Sequence, residues 1–344
     1  MEGTANFTFP QEQMPQEAML VWLSAFILVS FLIFVSNVAT VITFIINAHL
    51  HRSGVYCLIN LAVADASHGA SSVFWYFLYF DSRHRSGFVA GEKEFKKSIN
   101  VVAGVINTTA VITSLLSLLL VSLDRACSTV LPYVYRKLTV KIYCRGFVMT
   151  WLFAVGLAAI PSLTIGIGVY GHDVWLHQSG QVISIIALAI IAVSYMSIFV
   201  KIRQQNSRHQ NQRLDSNVRR SQKKERYLAV TLFIVTVLSL AAWLPFIIVH
   251  EVGKVSNAPR GFSQNHIELL TEIIQLTNSL VNPTVYVFRM EKFRRALIEL
   301  LTKCKRARPH PRPRAHLEPA SPHPYSHNAN HSSKIETRSN PSED

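Results

Sequence analysis

Charge is what this sequence has least of. Only 16% of its 344 residues are charged, against 49% hydrophobic, and mean hydropathy is +0.24. That balance is too apolar for an ordinary soluble domain. Catalytic signatures are missing as well. There is no phosphate-binding Walker loop, no paired Cys-x-x-Cys and no Gly-x-Ser-x-Gly, so an enzyme reading has nothing to stand on. No inverted internal repeat of the transporter kind is present.

What is there is apolar runs. A helix needs about 20 apolar residues to cross a bilayer core, and seven runs reach that length: 19–48, 55–80, 98–123, 146–170, 181–200, 227–250 and 266–288. A soluble protein would have to bury seven such helices almost without a charged face. The expected fold is therefore an all-α membrane protein, a bundle of seven transmembrane helices. The first run is too long for a cleavable signal peptide, and no Lys or Arg precedes it.

The net charge of +14 raises a nucleic-acid partner, but the distribution of Lys and Arg argues against one. With the N-terminus outside, outer loops hold seven of them: Arg83, Arg85, Lys93, Lys96, Lys97, Lys254 and Arg260. Inner loops and tail hold 26, and Arg125 stands at the inner boundary. This positive-inside bias sets the orientation, N-terminus out and C-terminus in, and suits anionic inner-leaflet lipid. The sequon Asn6-Phe7-Thr8 is a glycosylation candidate on the outer side. Asn107-Thr108-Thr109 lies inside a span, where no glycan fits. Cys57, Cys127, Cys144 and Cys304 all fall at or near the cytoplasmic side, where reducing conditions disfavour disulfides.

Three regions follow: an extracellular N-terminus (1–18), a bundle (19–303) and a cytoplasmic tail (304–344) rich in Pro, His and Ser, whose composition predicts disorder. The connection 170–181 reads as a short outer turn, and 201–226 as the longest polar insert, with nine Lys/Arg. Within 291–303, Phe293, Ala296, Leu297, Leu300 and Leu301 form one stripe, as in a short amphipathic helix on the inner membrane surface. The aromatic run 74–80 marks the outer interface of the second span. Trp75 there either anchors or lines a ligand site.

Ionisable groups inside a membrane are costly, which makes Asp65 a functional candidate. Asn37, Ser114, Asn278, Ser279 and Asn282 in other spans are potential partners. Oxygen ligands around one carboxylate suit a small hard cation; the alternative is a polar knot that only ties helices together. Pro161, Pro245 and Pro283 each remove a backbone donor and favour a kink. Trp243 stands beside Pro245, and Asn282 beside Pro283 can serve the disturbed backbone. Asp124 and Arg125 end the third apolar run at the cytoplasmic mouth. Arg125 can reach Glu225 at the foot of the sixth span with a forked guanidinium. Such a pair either holds a gate shut or is plain interfacial charge.

Together these residues resemble the rhodopsin-like family of G-protein-coupled receptors. The motifs are SN at Asn37, LAVAD at Asp65, DRA at Asp124 and Arg125, Trp151, AWLP with Trp243 and Pro245, and NPTVY with Asn282, Pro283 and Tyr286, followed by Phe293-Arg294. The resemblance covers about 19–303 and implies roles. Arg125 enters the G-protein interface when the sixth helix swings outward, and Glu225 is its resting partner. Tyr195 and Tyr286 support the open state, and Trp243 underlies the ligand pocket. Asp65, Ser114, Asn278, Ser279 and Asn282 match an allosteric sodium pocket. No other cofactor is implied.

The chain departs from the pattern at Ala126, where the third motif usually has Tyr. It also lacks the third-span cysteine, any cysteine in the second outer loop, and a proline in the fifth span. These losses are similar to the melanocortin branch, while NPTVY and its continuation resemble adenosine receptors, which implies an adenosine-like ligand as one option. Asn107 stands where amine receptors carry an acid. Glu268 and Glu272 share a helix face, near His250, Glu251 and Gln275. That favours a cationic ligand, an amine or basic peptide, unless these acids pair with Lys96, Lys97 or Lys254. Cys304, between Lys303 and Lys305, is either a palmitoylation site or a free thiol. Tail serines imply a receptor kinase and arrestin as partners beside the heterotrimeric G protein, extracellular ligand and membrane lipid. An opsin would need a lysine in 266–288, which has none. A transporter or channel using Asp65 on an ion path is the alternative; the localisation expected is the plasma membrane.

Overall fold

The structure is a computed structural model describing residues 14–47, 50, 54–84, 93–166, 173–209, 230, 233–234, 237–251 and 262–306. Every regular element among them is helical. In chain order these are α1 (Gln16–Ile46), α2 (Val55–His84), α3 (Lys93–Val130), the short α4 (Pro132–Tyr135), α5 (Val140–Gly166), α6 (Asp173–His209), α7 (Val237–Glu251), α8 (Phe262–Arg289) and α9 (Glu291–Arg306).

Among the described residues, α1, α3, α5 and α6 contain stretches long and apolar enough to cross a membrane. α2 and α8 are the polar members, and their polarity points inward. Asn60, Asp65, His68 and Ser72 of α2 are buried, as are Thr271, Gln275, Asn278, Ser279 and Asn282 of α8. The outward faces are the reverse of a soluble protein's. Val148, Met149, Leu152 and Phe153 of α5 and Val193, Met196 and Phe199 of α6 are exposed, a surface suited to hydrocarbon rather than water.

α1 shows why the helices pack as they do. Its buried residues are Met19, Phe26, Ser30, Ile33, Asn37, Thr40, Thr43 and Phe44, a stripe at helical spacing turned towards α2 and α8. α3 is the central rod and packs against α2, α5 and α6. α9 lies against α1 and α8 through a three-ring cluster. Phe293 is 5.0 Å from Phe44 and 5.9 Å from Tyr286, centroid to centroid. Phe293 and Ala296 of the predicted stripe are buried, while Leu301 is exposed.

Several boundaries differ from the sequence reading. α6 begins at Asp173, so the expected outer turn 170–181 contains the first turns of a helix. α2 continues to His84, α3 starts at Lys93, and α6 runs on to His209 into the polar insert. Backbone hydrogen bonding does not stop where apolarity does, and hydropathy marks only the portion that matches the hydrocarbon. The four-residue α4 was not foreseen. Pro132 at its first position supplies a preset φ. Asn6 and Glu225 lie outside the described residues. Cys304 falls inside α9, two residues before its end.

Candidate functional site

Three polar clusters run along the bundle axis. The first is at the C-terminal end of α3. Arg125 donates to Asp124 Oδ2 through both Nε, at 2.9 Å, and Nη2. The Tyr143 hydroxyl of α5 donates to Asp124 Oδ1 at 2.6 Å. Arg125 Nη2 also donates to the Tyr135 hydroxyl of α4 at 3.2 Å. Asp124 is buried, and the Arg125 side chain is only 18% exposed. Charge-assisted bonds of this kind are about twice as strong as neutral ones, so the pair is firmly held in this conformation. Tyr195 and Tyr286, the other residues expected near this end, are buried at 2% and 1%. Tyr195 packs edge-on to Phe233, and Tyr286 against Phe44 and Phe293.

The middle cluster is built on Asp65, which is fully buried in α2. Its Oδ1 accepts from Ser114 Oγ of α3 and from Ser279 Oγ of α8 at 2.9 Å. Its Oδ2 accepts from Asn282 Nδ2 at 2.7 Å. Three helices thus converge on one carboxylate, as expected. Asn278, the fifth predicted member, is buried one turn away on α8. Asn278 Oδ1 and Asn282 Oδ1 are buried with no hydrogen-bond partner among the described residues. Leaving such acceptors dry is costly. The Asp65 carboxylate and the two serine hydroxyls are oxygens of the kind a small hard cation of low charge takes, and the orphaned amide oxygens of Asn278 and Asn282 lie on the same stretch of α8. No group of three His, Cys, Asp or Glu that could hold a more highly charged metal occurs among the described residues.

Pro283 explains another contact. Having no N–H, it leaves the carbonyl of Ser279 without its helical donor. Asn37 Nδ2 of α1 donates to that carbonyl at 3.0 Å and to the Ile33 carbonyl at 3.0 Å. The sequence reading assigned the disturbed backbone to Asn282, but Asn282 Nδ2 is turned to Asp65 and Asn37 serves the backbone instead. Proximity in sequence was a poor guide because Asn282 lies on the carboxylate side of α8. Trp243 is buried in α7, two residues before Pro245, with its ring edge-on to Phe246. Its Nε1 has no hydrogen-bond partner among the described residues.

At the opposite end of the bundle, a small cleft is lined by Met14, Tyr79, Phe80, Asn265, Glu268, Leu269 and Glu272. It takes two of the five predicted ligand-pocket residues, Glu268 and Glu272, and places them against α2. Asn107 is engaged elsewhere. Its Oδ1 accepts from Ser71 at 3.0 Å and Ser72 at 3.1 Å, tying α3 to α2. His250 stacks on Phe246 at 5.6 Å. Gln275 is buried deeper in α8. Beside the cleft, Trp22 Nε1 donates to His266 Nδ1 at 2.8 Å, latching α1 to α8. Trp75 packs near Tyr79 and over Gly104 of α3, a packing role.

Sequence reasoning missed several members. His68, one turn beyond Asp65, is buried with Nδ1 3.2 Å from Ser279 Oγ. Asn60 donates to Ser117 Oγ at 2.7 Å and accepts from Trp151 Nε1 at 3.3 Å, joining α2, α3 and α5. Tyr135 and Tyr143 carried no signal beyond being aromatic near the inner boundary. His68 did carry one, being an ionisable group within a span.

Comparison with known proteins shows the family. The model of the family described as 7 transmembrane receptor (rhodopsin family) matches residues 36–286. The protein is 26% identical to Adenosine receptor A2b of Gallus gallus, over 76% of this chain and 82% of that one. It is 23% identical to Lysophosphatidic acid receptor 3 of Homo sapiens, over 82% and 78%. It is 26% identical to G-protein coupled receptor 3 of Rattus norvegicus, over 77% and 78%.

Proposed function

Because the chain belongs to the rhodopsin family of seven-transmembrane receptors, we propose that it sits in the plasma membrane with its N-terminus outside and signals by an outward swing of α7. As a member of that family it is a multi-pass receptor that couples an extracellular ligand to a G protein. Agonist and G protein favour the same open state, so each tightens the binding of the other by one and the same factor. Arg125 is the G-protein contact, Glu225 its resting partner on the sixth span, and Tyr195 and Tyr286 support the open form. Trp243 and Pro245 form the pivot, with Asn282 and Pro283 as its counterpart on α8. The observation that best supports the reading is Arg125, held at the inner mouth by neighbours that can release it.

The Asp65 cluster holds a sodium ion. Asp65 supplies the charge, and Ser114, Ser279, Asn278 and Asn282 supply neutral oxygens. The ion adds a positive charge beside a buried carboxylate and so favours the packed, resting arrangement of α2, α3 and α8. The ligand is cationic, an amine or a basic peptide, and Glu268 and Glu272 attract it at the outer cleft. A second reading, an adenosine-like ligand, is favoured by the similarity to an adenosine receptor. Asn6 is glycosylated, Cys304 is acylated at the lipid surface, and the phosphorylated tail engages arrestin after a receptor kinase.

A cell panel of cationic and nucleoside ligands read by second messengers, with Arg125→Ala as the control, tests these assignments. The expected result is a response that Arg125→Ala removes. Ion current or solute uptake in proteoliposomes lacking G protein, with no Arg125-dependent response in cells, would overturn them.

A further inference from the structure

Gly54, immediately before α2, is buried against the foot of α3. A Cβ at this position would overlap the Arg125 guanidinium and lie 2.9 Å from Asp124 Oδ2. The side chain of Arg125 therefore lies directly on the bare backbone of Gly54. Nothing flexible separates them, so even a methyl group cannot be accommodated without moving the arginine or the helix. Tyr135 and Tyr143 close the other sides, one on Arg125 and one on Asp124. Tyr143 is itself fixed by packing 6.1 Å from Tyr56 of α2 and 6.4 Å from Phe147. Residue 126, next along α3, is Ala and takes no part in the hydrogen bonding.

We propose that the bare backbone at Gly54, with the hydroxyls of Tyr135 and Tyr143, forms a berth that parks Arg125 in the resting receptor. The proposal rests on the reading that Arg125 makes the G-protein contact. The berth faces α2, α4 and α5, which do not include the helix that swings. Arg125 is thus restrained from the stationary side of the bundle, independently of Glu225. A guanidinium this close to peptide backbone needs a residue without a side chain, and that is what Gly54 provides. Leaving the berth breaks the Tyr135 bond and exposes the cation to the inner opening, where a G protein can meet it. Gly54, Tyr135 and Tyr143 are positioning residues: they act through Arg125.

The test uses the full-length receptor and needs no agonist. Basal nucleotide exchange is measured on a panel of heterotrimeric G proteins for Gly54→Ala, Tyr135→Phe, Tyr143→Phe, Arg125→Ala and the double variant Gly54→Ala/Arg125→Ala. Loss of one charge-assisted bond shifts the resting equilibrium about tenfold. Tyr135→Phe should therefore raise basal exchange by about that factor, Gly54→Ala should raise it by displacing Arg125, Tyr143→Phe should raise it by less, and the double variant should fall to the Arg125→Ala level. Thermal denaturation of the purified variants reads the contact without a G protein. Gly54→Ala should lower Tm in the parent but less in the Arg125→Ala background, where only the contact with Asp124 Oδ2 remains. An equal Tm loss in both backgrounds overturns the berth whatever the exchange results. A coupled Tm effect with basal exchange unchanged by Gly54→Ala and Tyr135→Phe, while Arg125→Ala still cuts exchange, overturns its role in the switch. If Arg125→Ala leaves basal exchange untouched too, the G-protein role of Arg125 fails and the proposal with it. Should Gly54→Ala not fold, Tyr135→Phe decides, since it removes a single oxygen.

Discussion

Asn282 Nδ2 lies 2.7 Å from Asp65 Oδ2, a bond between two helices that leaves the amide oxygen of Asn282 buried without a partner among the described residues. On the proposed reading, a sodium ion at Asp65 serves buried oxygens that lack hydrogen-bond donors. Sodium should therefore stabilise the purified receptor, because a ligand that binds only the folded state raises its stability. Tm measured in sodium chloride should exceed Tm in choline chloride at equal ionic strength, and Asp65→Asn should erase the difference. Identical melting of the parent in both salts would end the sodium assignment.

Asn37 serves the carbonyl that Pro283 abandons. Removing its amide should leave that buried acceptor dry at a cost of about 1–3 kcal/mol. Pro283→Ala restores a backbone N–H that can reach the Ser279 carbonyl. Asn37→Ala should therefore destabilise the Pro283→Ala background less than the parent. A double-mutant cycle on thermal or denaturant unfolding measures this, and strict additivity would refute it.

Glu225, outside the described residues, is put at the foot of the sixth span by the sequence, and its role as the resting partner of Arg125 is what the resemblance implies. Glu225→Gln should raise agonist-independent nucleotide exchange, and Arg125→Ala should lower it. An unchanged basal rate in Glu225→Gln would mean that the cross-helix lock is not operating, leaving the contacts of Arg125 to Asp124 and Tyr135 as its restraints.

Glu268 and Glu272 share the outer cleft. If a cation is the agonist, Glu272→Gln should lower its potency by at least about tenfold, the worth of roughly 1.4 kcal/mol, with the maximal response kept. Raising ionic strength should weaken the parent in the same direction. A potency untouched by Glu272→Gln would remove the cationic assignment.

The helical class, the seven apolar runs and the surface helix were readable because each rests on a local pattern: run length, spacing of apolar residues, asymmetry of Lys and Arg. Asp65 was readable as well, since one carboxylate in an apolar segment is visible without any fold. Ser114, Ser279 and Asn282 were legible only as polar residues in other apolar runs, candidates alongside Asn37 and Asn278, and the structure brings these three to the carboxylate. Helix ends were less legible. At Lys93, Asp173 and His209 the chain is helical but no longer apolar, so the pattern that revealed the spans says nothing there.

The sequence by itself determined that this chain forms apolar helical rods, with Lys and Arg concentrated in one set of connections and a polar thread through the middle, since hydrocarbon accepts only backbone that bonds to itself. Tertiary structure alone decided who meets whom. It gave the Ser279 carbonyl to Asn37 rather than to Asn282, the Asp124 carboxylate to Tyr143 from another helix, and the space over Gly54 to Arg125. Those pairings depend on the rotation and depth of each rod against its neighbours, which packing sets across long separations and no local spacing records.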